Sequence, residues 1–486
     1  MSFGEKLGVV LARVRAFRCN TKANVAMMFA ISLIPVTIAA GAGLDLTRAM
    51  IVKTNLSEAL DAAALAVASN SSLQPADRQP YAQAYFNANY KADANYGTPA
   101  AVAVSVNGQS ITVTSSVPMP TTLMGVAGIH TVNVASSSTV VWGQTKLWVS
   151  LVLDNTGSMC QSDNNPNAGS PCPNPGSGTK IASLQSATHT LLGLLQGAAA
   201  NAGDVMVDIV PFVKDVNVDR SIYGAATWID WTDWNSVNGS CSTNGSDQAT
   251  CTVAHCSKPQ YTTKTSCQNN NKTWYNAGTW THDNHNTWNG CVVDRGNSGG
   301  PDTTNNYDVM NTAPIVGTTA SMFSAEQYSS CPQAVMGLSS NWTSLGAKVD
   351  AMVADGTTNQ TIGLMWGWHA LSQGTPMSAA AVPANTARYI IILSDGLNTE
   401  DRWYGDGSNQ SSQVDARMSL VCANAKADHI VIYSLFVDIG GTQGNSTVLQ
   451  NCATDASKYY DLTSASQIAA AFNQIGQQIT NLRVSQ

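Results

Sequence analysis

Twenty consecutive residues, Val25 to Leu44, carry no charge, and this run limits the chain more than any other feature. At ~1.5 Å per helical residue it reaches across a hydrocarbon core of roughly 30 Å, so it reads as a membrane-spanning helix. Lys6, Arg13, Arg15, Arg18 and Lys22 precede it against Glu5 alone. That +4 balance predicts a cytoplasmic N-terminus (residues 1–24), with everything after Asp45 on the far side of a bacterial inner membrane. The small residues Ala39, Ala40, Gly41 and Ala42 would also suit a cleaved signal peptide. A retained anchor is the stronger reading, because the apolar run exceeds a usual signal core and helical spacing continues beyond it. Leu56, Leu60, Ala64 and Val67 recur within Asn55–Ala68, as an amphipathic stalk would require.

The export reading accords with the rest of the chain. Only 11% of the 486 residues are charged, where roughly 25% is usual. The total of −7 includes the +4 of residues 1–23, leaving −11 on the remainder. Such an acidic bulk carries no electrostatic footprint for nucleic acid. Of eleven cysteines, Cys19 precedes the apolar run and ten follow it. In an oxidising compartment the ten read as up to five disulfides. Cys160 and Cys172 flank one short loop, Cys422 and Cys452 frame a late strand, and these two pairs are expected to bond.

Residues 45–142 read as a small α+β spacer domain. Gln79–Tyr96 is helix and loop, and Ala101–Val106 and Ser110–Val117 alternate as strands around an Asn107-Gly108 hairpin turn. Val132–Trp142 is a third strand. From 143 to 486 the pattern changes to α/β. Leu147–Leu153 is nearly all apolar, as in a parallel strand buried on both faces. An amphipathic helix at Lys180–Ala199 and a strand at Val205–Phe212 complete a βαβ unit. The pattern stops over 214–335, where six cysteines and many Asn, Thr, Trp and Gly residues indicate a disulfide-rich insertion. It resumes with a helix through Leu345, Val349 and Met352 and another over Thr361–Leu371. Strands follow at Tyr389–Leu393 and His429–Val437, and a closing helix at Ala465–Leu482. The expected fold is a doubly wound, mostly parallel α/β sheet.

Asp154 and Asp395 each lie just beyond a buried strand, where open α/β sheets bind ligands. Thr156 and Ser158 add hydroxyls at alternate positions after Asp154, with Gly157 between them. Two carboxylates with several hydroxyls make a hard-oxygen site suited to Mg²⁺ first, or to Ca²⁺ or Mn²⁺, rather than zinc. With so few protein carboxylates, an acidic residue from a protein partner could complete the ion's shell.

Asp154-Asn155-Thr156-Gly157-Ser158-Met159 resembles the D-x-[ST]-x-S element of the metal-ion-dependent adhesion site in von Willebrand factor A domains. Leu393-Ser394-Asp395-Gly396 resembles that family's second aspartate loop. The resemblance implies a threonine ahead of a helix. Gly356-Thr357-Thr358-Asn359 is the best match, with Thr358 aligned and Thr357 the alternative, since the usual Gly-Gly-Thr is absent. It further implies that Thr156, Ser158 and Thr358 touch the ion, while Asp154 and Asp395 act directly or through water.

The chain as a whole is similar to TadG-like proteins of the Flp (Tad) pilus-assembly systems. The likeness covers Asn24–Ala68, including Gly43-Leu44-Asp45-Leu46-Thr47-Arg48 and Leu60–Ala66, together with Trp288–Val292, Asp294-Arg295, Gly363–Trp368 and the Cys422/Cys452 region. It implies a non-enzymatic, membrane-anchored protein of pilus assembly or adhesion whose partners are pilus-assembly components. Processed pseudopilins of these systems carry a Gly before the cut and a Glu five residues into the apolar run. No such pair occurs at 19–30, so a cleaved pilin subunit is not expected.

An alternative from a different class is an exported serine hydrolase. Thr252–Cys256 around His255, and Gly296–Pro301 around Ser298, look like the histidine and serine motifs of chymotrypsin-like proteases. His255 and Ser298 are only 43 positions apart, which leaves no room for a double β-barrel, and Asn297 stands where that family has Asp.

Overall fold

A single helix, α1 (Thr21–Ser69), continues from the uncharged run into the first of two units. The computed structural model describes residues 21–70, 73–93, 95–107, 110–141, 145–172, 178–441, 444 and 446–484. The first unit ends at Gly143 and the second begins at Gln144. The basic residues of positions 1–20 and Gly108 of the expected hairpin turn lie outside the described residues.

Early in α1, Val25, Met28, Phe29, Ile31, Ile34 and Val36 are exposed. The helix is long and apolar enough there to cross a membrane. Further along, Val52, Leu56, Ala59, Leu60, Ala63, Ala64 and Val67 are buried at i, i+3 and i+4 spacing. They pack on α2 (Arg78–Asn89) and on an antiparallel sheet of β1 (Ala103–Asn107), β2 (Ser110–Pro120) and β3 (Thr131–Val141). The sequence expectation of a projecting stalk is corrected here. The amphipathic stripe does not stand free; it is the core helix of this unit, because the apolar face of β2 covers it.

Asp45 lies in the packed part of α1, one turn after Gly41, which is buried against Leu123. Its buried carboxylate accepts backbone N–H groups from Thr122 (3.0 Å), Leu123 (2.9 Å) and Met124 (2.9 Å). Those bonds, the one from Met124 foremost, bring its pKa down to about 2. Arg48 donates to the Asn95 carbonyl and lies over the Tyr96 ring. A carboxylate whose pKa is lowered by folding contributes stability above its ordinary pKa, and loses it as pH falls toward the folded value. Amide exchange of Leu123 and Met124 should therefore accelerate between about pH 4 and pH 2. In Asp45→Asn it should be fast at neutral pH and lack that step; an identical acid profile in the variant would remove Asp45 from this role.

The second unit is built on parallel strands β4 (Lys146–Asp154) and β5 (Val205–Phe212). The later strands are β10 (Met336–Ser339), β11 (Thr386–Ser394), β12 (Val431–Val437) and β13 (Tyr459–Leu462). Their spatial order is β10-β5-β4-β11-β12-β13, with only β10 antiparallel to its neighbour. In the unit's own chain order this is 3-2-1-4-5-6, a doubly wound sheet with its switch point between β4 and β11. Alternation along β4 explains why it reads as continuously apolar. Leu147, Val149, Leu151 and Leu153 enter one core with α3 (Lys180–Ala198), α4 (Trp342–Asp350) and α7 (Gln467–Val484). Trp148 and Val152 enter the other, with α5 (Gln360–Ala370) and α6 (Ser412–Ala427).

Helix α5 lies flush on the sheet through two glycines. A Cβ on Gly363 would come within 2.6 Å of the Phe212 ring, and one on Gly367 within 2.6 Å of Val152 Cγ2 and 2.7 Å of Ser150 Oγ. Gly367→Ala is expected to cost about 1–3 kcal/mol in urea denaturation by overpacking, although alanine is the better helix former. A neutral or stabilising result would mean that α5 can lift off the sheet freely.

All ten cysteines after the apolar run are bonded, as 160–172, 241–251, 256–267, 291–331 and 422–452. Both pairings expected from sequence are among them. The insertion is more than a stapled plug. Its strands β6 (Val216–Asn217), β7 (Ile229–Asp230), β8 (Cys291–Val292) and β9 (Phe323–Glu326) extend the main sheet from the end of β5, in the order β6-β8-β9-β7. Trp228, Trp234 and Trp288 are buried in the α5-side core.

Candidate metal centre

The carboxyl ends of β4 and β11 lie side by side, so the topology alone brings Asp154 next to the loop holding Asp395. After Asp154 the chain turns sharply. Gly157 N donates to the Gly356 carbonyl (2.9 Å), and a Cβ on Gly157 would sit 2.5 Å from Ser170 Oγ, so a side chain here would have to displace Ser170. The Cys160–Cys172 disulfide closes the loop that follows.

Within this turn, Thr156 Oγ1 and Ser158 Oγ are 3.1 Å apart, and Ser158 Oγ donates to Asp395 Oδ1 at 2.7 Å. Asp154 accepts the Thr156 N–H at Oδ1 (2.7 Å) and the Ser394 hydroxyl at Oδ2 (2.5 Å). Ser394 accepts in turn from Gln360 Nε2 (2.9 Å), which also donates to the Gly396 carbonyl (2.8 Å). Complete burial, then the charge of nearby Asp395, push the Asp154 carboxyl up to about 7.

The two threonines ahead of α5 face different ways. Thr357 Oγ1 donates to Glu400 Oε2 (3.0 Å) and lies near the Tyr328 hydroxyl. Thr358 Oγ1 lies 3.6 Å, and Ser158 Oγ 3.8 Å, from where a Cβ on Gly396 would stand, so these two hydroxyls flank Gly396 together. Asp154, Thr156, Ser158, Thr358 and Asp395 are therefore gathered at one end of the sheet.

The donor set suits a hard divalent ion. Ligands at about 2.1 Å on adjacent octahedral vertices are roughly 3 Å apart, and the Thr156–Ser158 and Ser158–Asp395 spacings match such edges. Among the described residues no group of three or more His, Cys, Asp or Glu side chains forms a metal cage. Hydroxyls, water or an outside ligand would have to supply most of the shell.

Sequence reasoning missed the residue that changes the site's charge. Lys180 Nζ lies 2.6 Å from Asp395 Oδ2 and 3.0 Å from Gln161 Oε1, in an ion pair whose side chains are 1% and 0% exposed. Periodicity marked Lys180 only as the start of an amphipathic helix. Its one local signal was a cation in the first helical turn, where the helix dipole disfavours it.

The hydrolase pair is not assembled. His255 Nδ1 lies 3.0 Å from the Val253 carbonyl and its ring is beside Tyr275, whereas Ser298 Oγ donates to Asp233 at 3.3 Å. No hydrogen bond joins His255 and Ser298 among the described residues. Cysteines 251, 256, 267 and 291 are all in disulfides and so offer no thiolate ligand for zinc.

Residues 23–70 match the family described as putative Flp pilus-assembly TadE/G-like. No curated protein matches the chain. Similar solved structures include the pilus adhesin SpaC from Lactobacillus rhamnosus GG, with 11% identity and a TM-score of 0.33 over 78% of this chain. This chain spans only 33% of the SpaC chain. The vWF domain of the type V pili tip protein Mfa5 from Porphyromonas gingivalis is 11% identical over 70% of this chain and 97% of that one, with a TM-score of 0.35. The PilB minor pilin from Streptococcus sanguinis is 12% identical over 78% and 77%, with a TM-score of 0.33. The fold class itself rests on the strand order. Residues 23–70, which match the putative Flp pilus-assembly TadE/G-like family, thus precede a doubly wound α/β unit.

Proposed function

We propose that this is a non-enzymatic, membrane-anchored protein of Flp pilus assembly or adhesion, which holds a protein partner through a divalent ion. The ion would be Mg²⁺ in the first instance, with Ca²⁺ or Mn²⁺ as alternatives. Asp154, Thr156, Ser158, Thr358 and Asp395 would hold it. The observation that carries this reading is the spacing of Thr156, Ser158 and Asp395 oxygens at the switch point of the sheet.

When bound, the ion offers an electrophilic point to a carboxylate from the partner. The chain's own residues orient that contact. Ser394 and the Thr156 N–H fix the Asp154 carboxyl, Gln360 holds Ser394, and Lys180 fixes Asp395. The long apolar helix and the TadE/G-like segment support an anchor at residues 25–44, which would leave the folded units periplasmic or extracellular.

Asp154→Ala should abolish the rise in melting temperature that millimolar Mg²⁺ or Mn²⁺ gives the wild type, and with it the capture of pilus-assembly components. Capture that survives undiminished in Asp154→Ala would sink the ion-bridged mechanism.

A further inference from the structure

The ion site already contains a cation. Lys180 is fully buried, and its ammonium spends two of its donors on Asp395 and Gln161. Its backbone N–H also donates to the Gln161 carbonyl at 2.8 Å, so the residue is held from both ends. It occupies the first position of α3, directly after the N-cap Thr179. A positive charge there opposes the helix dipole, so local stability does not explain the choice. The explanation lies in what the ammonium faces, the Asp395 carboxylate beside Asp154.

Charge counting gives the consequence. Asp154 and Asp395, when ionised, carry two negative charges, and Lys180 reduces the site to one. A divalent ion would overshoot to one positive charge in a buried, poorly screened place. One carboxylate from outside would bring the loaded site back to neutrality. Without Lys180, the two aspartates would neutralise the ion by themselves, and an incoming carboxylate would add uncompensated charge.

We propose that Lys180 is a fixed counter-charge that makes ion loading depend on an acidic ligand, so that ion and partner carboxylate bind together and neither binds well alone. This rests on the ion-bridged reading above and adds its selectivity for anionic ligands. It is a linkage statement: each ligand raises the other's affinity by the same factor.

The test uses the full-length chain in detergent with Mn²⁺ as the probe. Free Mn²⁺ is read by electron paramagnetic resonance, with and without glutarate as a soluble carboxylate. Wild type should bind Mn²⁺ weakly alone and more tightly with glutarate. Lys180→Met should bind Mn²⁺ about tenfold tighter or more without glutarate, because a buried like charge has gone, and glutarate should then add little. Lys180→Arg keeps the charge and should behave as wild type. Lys180→Gln, which can still bond Gln161, repeats the test should thermal melts show Lys180→Met unfolded. Wild-type Mn²⁺ affinity in a folded Met or Gln variant, or an undiminished glutarate effect there, overturns the inference while leaving the ion site standing. Absence of Mn²⁺ binding in wild type and variants alike, even with glutarate, overturns both.

Discussion

Asp395→Ala is expected to destabilise the second unit by about 3–5 kcal/mol even with every divalent ion chelated, because it leaves the Lys180 ammonium buried without its partner. Guanidinium denaturation in EDTA, followed by tryptophan fluorescence, measures it. The informative comparison is with the double variant Asp395→Ala/Lys180→Met. Removing both charges takes away the uncompensated cation, so the double variant should recover much of the loss. Costs that simply add would show that the two side chains do not couple, and that the ion pair plays no part in holding β11 against α3. A loss that appears only with divalent ions present would assign Asp395 to ion binding alone.

The second large effect lies away from the site. Trp366→Ala is expected to cost about 3–5 kcal/mol, the range for emptying a large aromatic from a packed core. Trp366 is fully buried on α5, with ring centroids 4.7 Å from Phe323 and 6.0 Å from Trp228, both of which belong to the insertion. The substitution therefore removes the seam between the α/β framework and the insertion. Denaturation should shift to a lower midpoint, and proteolysis should begin within 214–335. A change below about 1 kcal/mol would mean that the insertion folds on its own staples and merely rests on α5.

Much of this arrangement is legible along the chain, for identifiable reasons. The strand at 147–153 is recognisable because both of its faces enter cores, so every position is apolar except Ser150, whose hydroxyl donates to Asp208. Val205–Phe212 is observed with the bounds read from sequence. Strand β10, strand β13 and helix α6 are not legible in the same way. Met336–Ser339 is only half-buried, so it lacks a continuous apolar run, and α6 has many polar residues between its buried Val414, Met418 and Val421. Within the insertion, two-residue strands such as Val216–Asn217 have no periodicity to detect. Partners distant in sequence define them.

The candidate site divides along the same line. The sequence alone determined which oxygens are available, since Asp154, Thr156, Ser158 and Asp395 are written into loops that directly follow apolar strands. It also determined that α1 is apolar over a membrane's depth, because hydropathy is additive along a chain. Only the tertiary structure turns Thr357 toward Glu400 and Thr358 toward Gly396, since adjacent residues ahead of a helix point in different directions. It alone brought Lys180 to Asp395 across 215 positions. Charge neutralisation depends on distance in space, and a linear pattern does not record which buried ammonium will meet which buried carboxylate.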